Sequence, residues 1–412
     1  MKKLFFCAGL VCFANLLHAQ TRVLFVGNSY TAVNNLPQLT ADCALSIGFA
    51  GMPMEVASST PGGTTFQMHT TNTTSQSLIN QGNWDYVVLQ EQSQLPSFPD
   101  GQVAAECFPF AAQLNDQILA ADSCTETVFY MTWGRQNGDA SNCASWPPVC
   151  TYEGMDSLLN LRYRQMAIDN QAILSPVGAL WKYIRTTYPE INLYSTDGSH
   201  PSLEGSYAAA CSMIAVMLRT DPYLITYTST LDPVVAEKIK LAAQEVVFNN
   251  LMEWHVGEYD PAVLVNTASN GLTLQLDNQS VSSWNFTWDF GDGNTSTDFS
   301  PQHPYANAGV YSLSYAAIDV CGRTSQGYWE IQILENSVSE FEKKYVVRTL
   351  ENEFVIDFSS LASDVRIFDL NGRLIQMSNN NHSSFCIAKS NSPRVIQFTM
   401  NGISHRILLG IE

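Results

Sequence analysis

The sequence predicts an α/β domain built on a parallel sheet with helices on both faces, followed by two all-β sandwich units. Three observations carry this expectation. From Thr21 to about Tyr259, short apolar runs alternate with helical stretches. After Glu258-Tyr259-Asp260-Pro261 the composition changes, and Leu272-Thr273-Leu274-Gln275-Leu276 alternates with period two. Ser, Asn and Gly turns then recur at short intervals. At 412 residues the chain exceeds one ordinary domain. The expected division is 1–19, 20–260, 261–335 and 336–412.

Taken in order, residues 1–19 read as a cleaved signal peptide. Lys2-Lys3 give a positive start, Leu4 to Leu17 an apolar stretch, and cleavage is expected after Ala19. The apolar stretch is too short to span a bilayer, so no transmembrane segment is expected once it is removed. Val23–Val26 reads as the first strand, and Pro37–Ile47 as the helix that follows it, with Pro37 suited to its first position. Met54–Ser58, Tyr86–Leu89, Thr127–Met131 and Ala172–Leu174 read as further strands. Asp156–Gln171, Leu203–Leu218 and Val235–Met252 read as helices. Such alternation argues for right-handed crossovers and a parallel sheet, with ligands at the carboxyl ends of the strands.

Charged residues make up 14% of the chain, well below the usual quarter, which leaves a surface rich in Ser, Thr, Asn and Gln. The formal net charge of −18, from 20 basic and 38 acidic residues, disfavours binding to a phosphate backbone. No nucleic-acid partner is expected. Of ten cysteines, Cys7 and Cys12 leave with the signal, and six fall in the α/β domain. An even number in an exported chain favours disulfides over metal ligation. Cys143 and Cys150 flank Trp146-Pro147-Pro148 and form the best local pair; Cys107 with Cys124 and Cys43 with Cys211 would complete the set. Cys321 and Cys386 read as buried thiols. No Cys-x-x-Cys spacing occurs, so no structural zinc is expected.

The chemistry concentrates in two stretches. Gly27-Asn28-Ser29-Tyr30-Thr31 directly follows the first strand, which puts the Ser29 hydroxyl at the carboxyl edge of the sheet and beside a helix N-terminus. Asp197-Gly198-Ser199-His200-Pro201 brings an acid and an imidazole three residues apart. Ser29, His200 and Asp197 supply a nucleophile, a general base and an orienting carboxylate. His69 is the rival base and lacks a neighbouring carboxylate in sequence.

These stretches resemble the SGNH (GDSL-like) hydrolase family, whose first block is usually Gly-Asp-Ser and whose last is Asp-x-x-His. Asn28 stands here for the usual Asp. The resemblance implies a three-layer α/β/α, flavodoxin-like domain and a serine ester hydrolase that uses no cofactor and no metal. It also implies an oxyanion hole built from the Ser29 N–H and a Gly N–H in Ser59-Thr60-Pro61-Gly62-Gly63-Thr64-Thr65, with Gly62 favoured over Gly63. The family's Gly-x-Asn-Asp block is missing. In its place stands Leu89-Gln90-Glu91-Gln92, where Gln90 is the preferred third donor and Gln92 the less favoured one. Glu91 fits either a carboxylate supporting the site or a buried structural one. Trp133 and Arg135, after the fourth strand, are candidates to line the acyl or sugar pocket, and Trp133 fits a plain core role equally.

Trp288-Asp289-Phe290-Gly291-Asp292-Gly293, with His303-Pro304-Tyr305 and Gly309-Val310-Tyr311, resembles a polycystic-kidney-disease (PKD) repeat from about Asn266 to Leu334. Val365 to Arg373 resembles the C-terminal sorting domain of type IX secretion substrates. Its second element is reduced to Ser392-Pro393-Arg394-Val395, and the terminus is acidic at Ile411-Glu412. The combined expectation is a secreted or cell-surface esterase, exported with its C-terminal domain engaging the export machinery. Its substrate would be an O-acyl, chiefly O-acetyl, carbohydrate or another small ester. The rivals are a lipase or lysophospholipase of the same fold and a non-catalytic glycan-binding surface protein.

Overall fold

The computed structural model describes residues 20–48, 53–259, 265–280 and 284–335, together with the strand segments between 338 and 409. The expected signal peptide lies outside the described residues. The chain divides into two compact units, with the boundary between Val256 and Gly257. Among the described residues, no helix is long and apolar enough to cross a membrane.

The first unit is a doubly wound α/β structure. Five parallel strands, β1 (Arg22–Val26), β2 (Glu55–Ser59), β3 (Tyr86–Leu89), β4 (Glu126–Tyr130) and β5 (Ile173–Ser175), lie in the order β2-β1-β3-β4-β5. This is the flavodoxin-like order, whose crossovers reverse direction at β1 and place helices on both faces. Val23 to Val26 are buried on both sides, as an unbroken apolar run in a covered parallel sheet requires. The register aligns Val26 with Ser59 and with Leu89, and Leu89 with Phe129. The loops after these strands therefore leave one edge of the sheet side by side.

Helices follow from local chemistry. α1 (Ser29–Ala32) begins at the Asn28 cap, and α2 (Leu36–Ser46) carries Pro37 in its first turn. α3 (Phe66–His69) is capped by Thr65, whose Oγ1 accepts from the Met68 N–H. α4 (Thr73–Ile79), α5 (Asp100–Glu106) and α6 (Phe108–Ala121) complete the crossovers into β3 and β4. α7 (Tyr152–Asp169) starts earlier than expected because Thr151 caps it, and it stops before Gln171, which has φ +49°. α8 (Val177–Thr187) and α9 (Leu203–Met217) pack on each other, and α9 also packs on α2. The helix expected to reach Met252 instead ends as α10 (Pro233–Val246). The Asn250 amide donates to the Glu245 carbonyl at 2.7 Å and leaves helical geometry (φ −132°), so the continuation is 3-10 in character.

Cys143 and Cys150 form a disulfide. Cys43, Cys107 and Cys211 are buried free thiols, which removes the expected pairs Cys107–Cys124 and Cys43–Cys211. Cys124 is disulfide-bonded, and so is Cys321, which was expected as a thiol. The Cys386 side chain lies outside the described residues.

The second unit is antiparallel throughout. β6 (Val265–Asn270), β7 (Thr273–Asn278), β10 (Gln302–Pro304) and β13 (Val338–Ser339) form one sheet. β8 (Asn285–Asp289), β9 (Thr295–Ser296), β11 (Gly309–Ile318) and β12 (Thr324–Ile333) form the other. Leu274, Leu276, Trp288, Phe290, Leu313 and Tyr315 are among the residues that fill the space between them. Gly291 and Gly293 take φ +75° and +91° in the turn from β8 to β9. β13 pairs with β6, so this sandwich extends past the expected boundary at 335. Beyond it, β14 (Tyr345–Thr349), β15 (Glu353–Phe368), β16 (Leu374–Ser378), β17 (His382–Ala388), β18 (Arg394–Met400) and β19 (Ile403–Leu409) form a six-stranded sheet. Residues 369–373, which carry the Asn-Gly-Arg turn of the sorting-domain resemblance, lie outside the described residues, as do Ser392-Pro393 and the acidic terminus.

Candidate active site

The turn after β1 admits only glycine at position 27. A Cβ there would stand 2.7 Å from Thr31 Oγ1 and 2.8 Å from Gln90 Oε1, closer than side-chain carbons approach other atoms. Asn28 caps α1 with its Oδ1, which accepts from the Tyr30 N–H at 3.1 Å. Its Nδ2 donates to the carbonyls of Thr64 (3.1 Å) and Glu91 (3.4 Å). An aspartate would face both carbonyls with a lone pair, which gives Asn28 a physical reason in this setting. One side chain thus ties the serine turn to the 59–65 loop and to the segment after β3.

Ser29 opens α1 with its hydroxyl half-buried, and the Asp197–His200 loop reaches it from the other end of the unit's chain. His200 Nε2 lies 2.8 Å from Ser29 Oγ, and His200 Nδ1 lies 2.5 Å from Asp197 Oδ2. Asp197 Oδ1 accepts from the backbone N–H groups of Ser199 and His200, each at 3.0 Å. Gly198, at φ +66°, closes the turn that makes these bonds possible. Partial burial alone would raise the Asp197 pKa. The hydrogen bond from His200 and the two backbone donors outweigh it and hold the carboxyl below its usual value. Asp197 therefore stays ionised across the neutral range. The side chains of Asp197 and His200 are 48% and 35% exposed, so solvent and substrate reach the relay.

The other expected site residues are distributed differently. Gln90 is fully buried, with its Oε1 accepting from the Asn28 N–H (3.0 Å) and Thr31 Oγ1 (2.9 Å). Its Nε2 donates to the Glu91 carbonyl. Gln90 thus buttresses the serine turn and is not a donor to the oxyanion hole. Gln92 spends its Oε1 on the N–H groups of Gln94 (2.9 Å) and Leu95 (3.2 Å), so it shapes its own loop. Gly62 and Gly63 are exposed, with Gly63 at φ +71°, in the loop that Thr64 fastens to Asn28.

Trp133 is fully buried, stacked at 3.6 Å on Trp181 and at 4.9 Å on Tyr30. Of the two roles left open for it, pocket wall and plain core, its burial fits the core. Arg135 stays near the surface but commits its Nη1 to the buried Asp139 Oδ1 at 2.9 Å. Asp139 also accepts from Gln94 Nε2 (2.9 Å) and Asn142 Nδ2 (2.7 Å), so it joins the loops after β3 and β4. His69, the rival base, is buried between the Ser75 hydroxyl (2.7 Å) and the Gly27 carbonyl (2.9 Å). Burial lowers its pKa although the Gly27 carbonyl pulls the other way. It holds the serine turn from below.

Glu91, next to Gln90 at the end of β3, is fully buried. Its oxygens accept from the N–H groups of Phe66 (3.0 Å) and Gln92 (2.5 Å). Burial pushes its pKa from 4.5 up to about 8, against those two donors. Between these values the unfolded chain has released a proton that the folded protein retains, so this group makes stability fall as pH rises from about 4.5 to about 8. Glu91→Gln is expected to flatten that fall, holding Tm about 5 °C closer to its acid-side value at the top of the window. Parallel Tm-against-pH curves for variant and wild type would show that another group controls the slope. Among the described residues, no group of three His, Cys, Asp or Glu side chains is arranged to hold a metal ion.

Residues 260–332 match the family model of the PKD domain, and the two-sheet sandwich of the second unit is a PKD domain. The chain is 29% identical over 109 residues to collagenase ColQ1 of Bacillus cereus (strain Q1), a match that spans 24% of this chain and 11% of that protein. Two solved structures resemble the first unit. One, from Slackia heliotrinireducens and assigned to the SGNH hydrolases, is 26% identical over 48% of this chain and 99% of its own, with a TM-score of 0.39. The other, a DUF4886 family protein from Bacteroides uniformis, is 18% identical over 57% of this chain and 95% of its own, with a TM-score of 0.46.

Proposed function

We propose that the first unit is a serine O-acyl esterase acting on acylated, chiefly acetylated, carbohydrate. The observation that supports this most is the unbroken relay from Asp197 Oδ2 through His200 to Ser29 Oγ, at 2.5 and 2.8 Å. Ser29 Oγ attacks the ester carbonyl as His200 Nε2 takes its proton. Asp197 keeps the other ring proton on Nδ1 and stabilises the imidazolium that forms. The oxyanion is held by backbone N–H groups of Ser29 and of the Gly62 loop, which the Asn28 side chain keeps beside the nucleophile. His200 then protonates the leaving alcohol, and water activated by the same ring hydrolyses the acyl-enzyme.

The short acyl group is favoured by what reaches the surface here. Gly62, Gly63 and Asp197 are exposed and small or polar. Export is favoured by the Cys143–Cys150 disulfide, which persists in oxidising compartments. Hydrolysis of p-nitrophenyl acetate, butyrate and octanoate, beside acetate release from acetylated polysaccharide, tests the reading. kcat/KM is expected to fall from acetyl to octanoyl. A pocket built for long chains would instead gain about 0.8 kcal/mol per methylene buried. A rise of that kind would move the assignment to a lipase, and no hydrolysis of any ester would overturn it.

A further inference from the structure

Ser199 lies between the acid and the base of the relay, and each of its polar groups is engaged. Its N–H donates to Asp197 Oδ1 at 3.0 Å, and its carbonyl accepts from Trp133 Nε1 at 3.1 Å. Its hydroxyl pairs with the Tyr30 hydroxyl at 2.6 Å. Tyr30 directly follows the nucleophile. Its ring stands edge-on to the His200 imidazole at 5.2 Å and lies flat on Trp133, with 4° between the planes. Trp133 is stacked in turn on Trp181, and all three aromatics are buried.

The loop needs such a brace. Asp197 and His200 belong to no helix or strand, and two of the loop's bonds run within itself, from the Ser195 N–H to the His200 carbonyl and from the Gly198 N–H to the Ser195 carbonyl. Gln136 fastens it at Gly198, and Asn34 fastens its far end at Ser202 and Ser206. None of these bonds is made to the imidazole. The Tyr30 hydroxyl joins the loop to the nucleophile's own turn, next to the ring it must place.

We propose that Tyr30 and Ser199 are positioning residues, whose hydroxyl–hydroxyl bond, seated on the Trp133–Trp181 stack, sets the His200 imidazole at transfer distance from Ser29. The kinetic part of this inference rests on the esterase reading. Tyr30→Phe keeps the ring stack and removes this bond together with the Tyr30 hydroxyl's bond to Ser93; Ser199→Ala removes the shared bond alone. Each is expected to lower kcat for p-nitrophenyl acetate about tenfold at unchanged KM, because a misplaced base costs rate and not ground-state binding. The double variant should lose no more than Tyr30→Phe alone, since that variant already lacks the shared bond. Additive losses, an unchanged kcat or a raised KM would overturn the proposal. Proton NMR of the His200 Nδ1–H shared with Asp197 supplies a readout that needs no turnover. That resonance should be sharp in the wild type and broadened by exchange in both variants, and equal sharpness in all three would also overturn it. An inactive wild type with the expected NMR pattern would remove the esterase reading and leave the brace standing.

Discussion

Ser29→Ala is expected to lower kcat/KM for a short ester by about 10⁴-fold or more, while Tm stays at its wild-type value. The Ser29 hydroxyl is the oxygen that His200 Nε2 faces at 2.8 Å, and among the described residues no other hydroxyl is bonded to that nitrogen. The turn itself is held by Gly27, Asn28 and Gln90, so removing Oγ deletes the nucleophile and leaves the scaffold. Activity and a thermal melt on the same preparation decide the matter. Turnover near the wild-type rate would show that the relay is not the catalytic centre. Loss of activity together with a collapsed melt would show that Ser29 holds the turn and leave its chemistry unsupported.

Asp197→Asn is expected to cost about 10³-fold in kcat/KM, less than the loss of the serine but far more than a missing surface charge. An asparagine cannot stabilise the imidazolium charge. The hydrogen-bond directions work against it as well. If the amide oxygen faces His200 Nδ1, the NH₂ group is forced against the N–H groups of Ser199 and His200, which now donate to Oδ1. If the NH₂ group faces the ring, Nδ1 must accept, the ring proton moves to Nε2, and the base confronts Ser29 with a donor. Either arrangement spoils the relay. Retention of a third or more of wild-type kcat/KM would mean that the carboxylate is not what fixes the tautomer.

The elements most legible in the sequence were those with an unbroken local signal. Tyr86–Leu89 appears with the expected ends because four apolar residues between turns leave a buried strand no other register. Helix ends were less legible, as at Thr151 and Asn250, where one side-chain hydrogen bond shifts the boundary. The meeting of Ser29, Asp197 and His200 was legible in part, since Ser29 stands between a strand and a helix and Asp197 and His200 lie three residues apart just before α9. Gln90 stands at the carboxyl edge of the sheet, and nothing local in the sequence says that its side chain turns back to Asn28 and Thr31. Tyr30 and Ser199 gave no signal beyond adjacency to the relay.

What the sequence determines by itself is whatever short-range chemistry enforces: the alternation that yields a parallel sheet, the glycine turn that presents Ser29, and the Asp-x-x-His spacing that lets one carboxylate meet both its own loop's N–H groups and the imidazole. What only the tertiary structure decides is which atoms separated by many residues share one volume. Asn28 reaches Thr64 and Glu91, Gln90 turns back to Asn28 and Thr31, and Tyr30 meets Ser199 across 169 positions of chain. The physical reason is range. A turn or a cap is settled by atoms a few residues apart, whereas these contacts exist because close packing of helices on both faces of the sheet leaves each buried polar group one set of partners near enough to satisfy it.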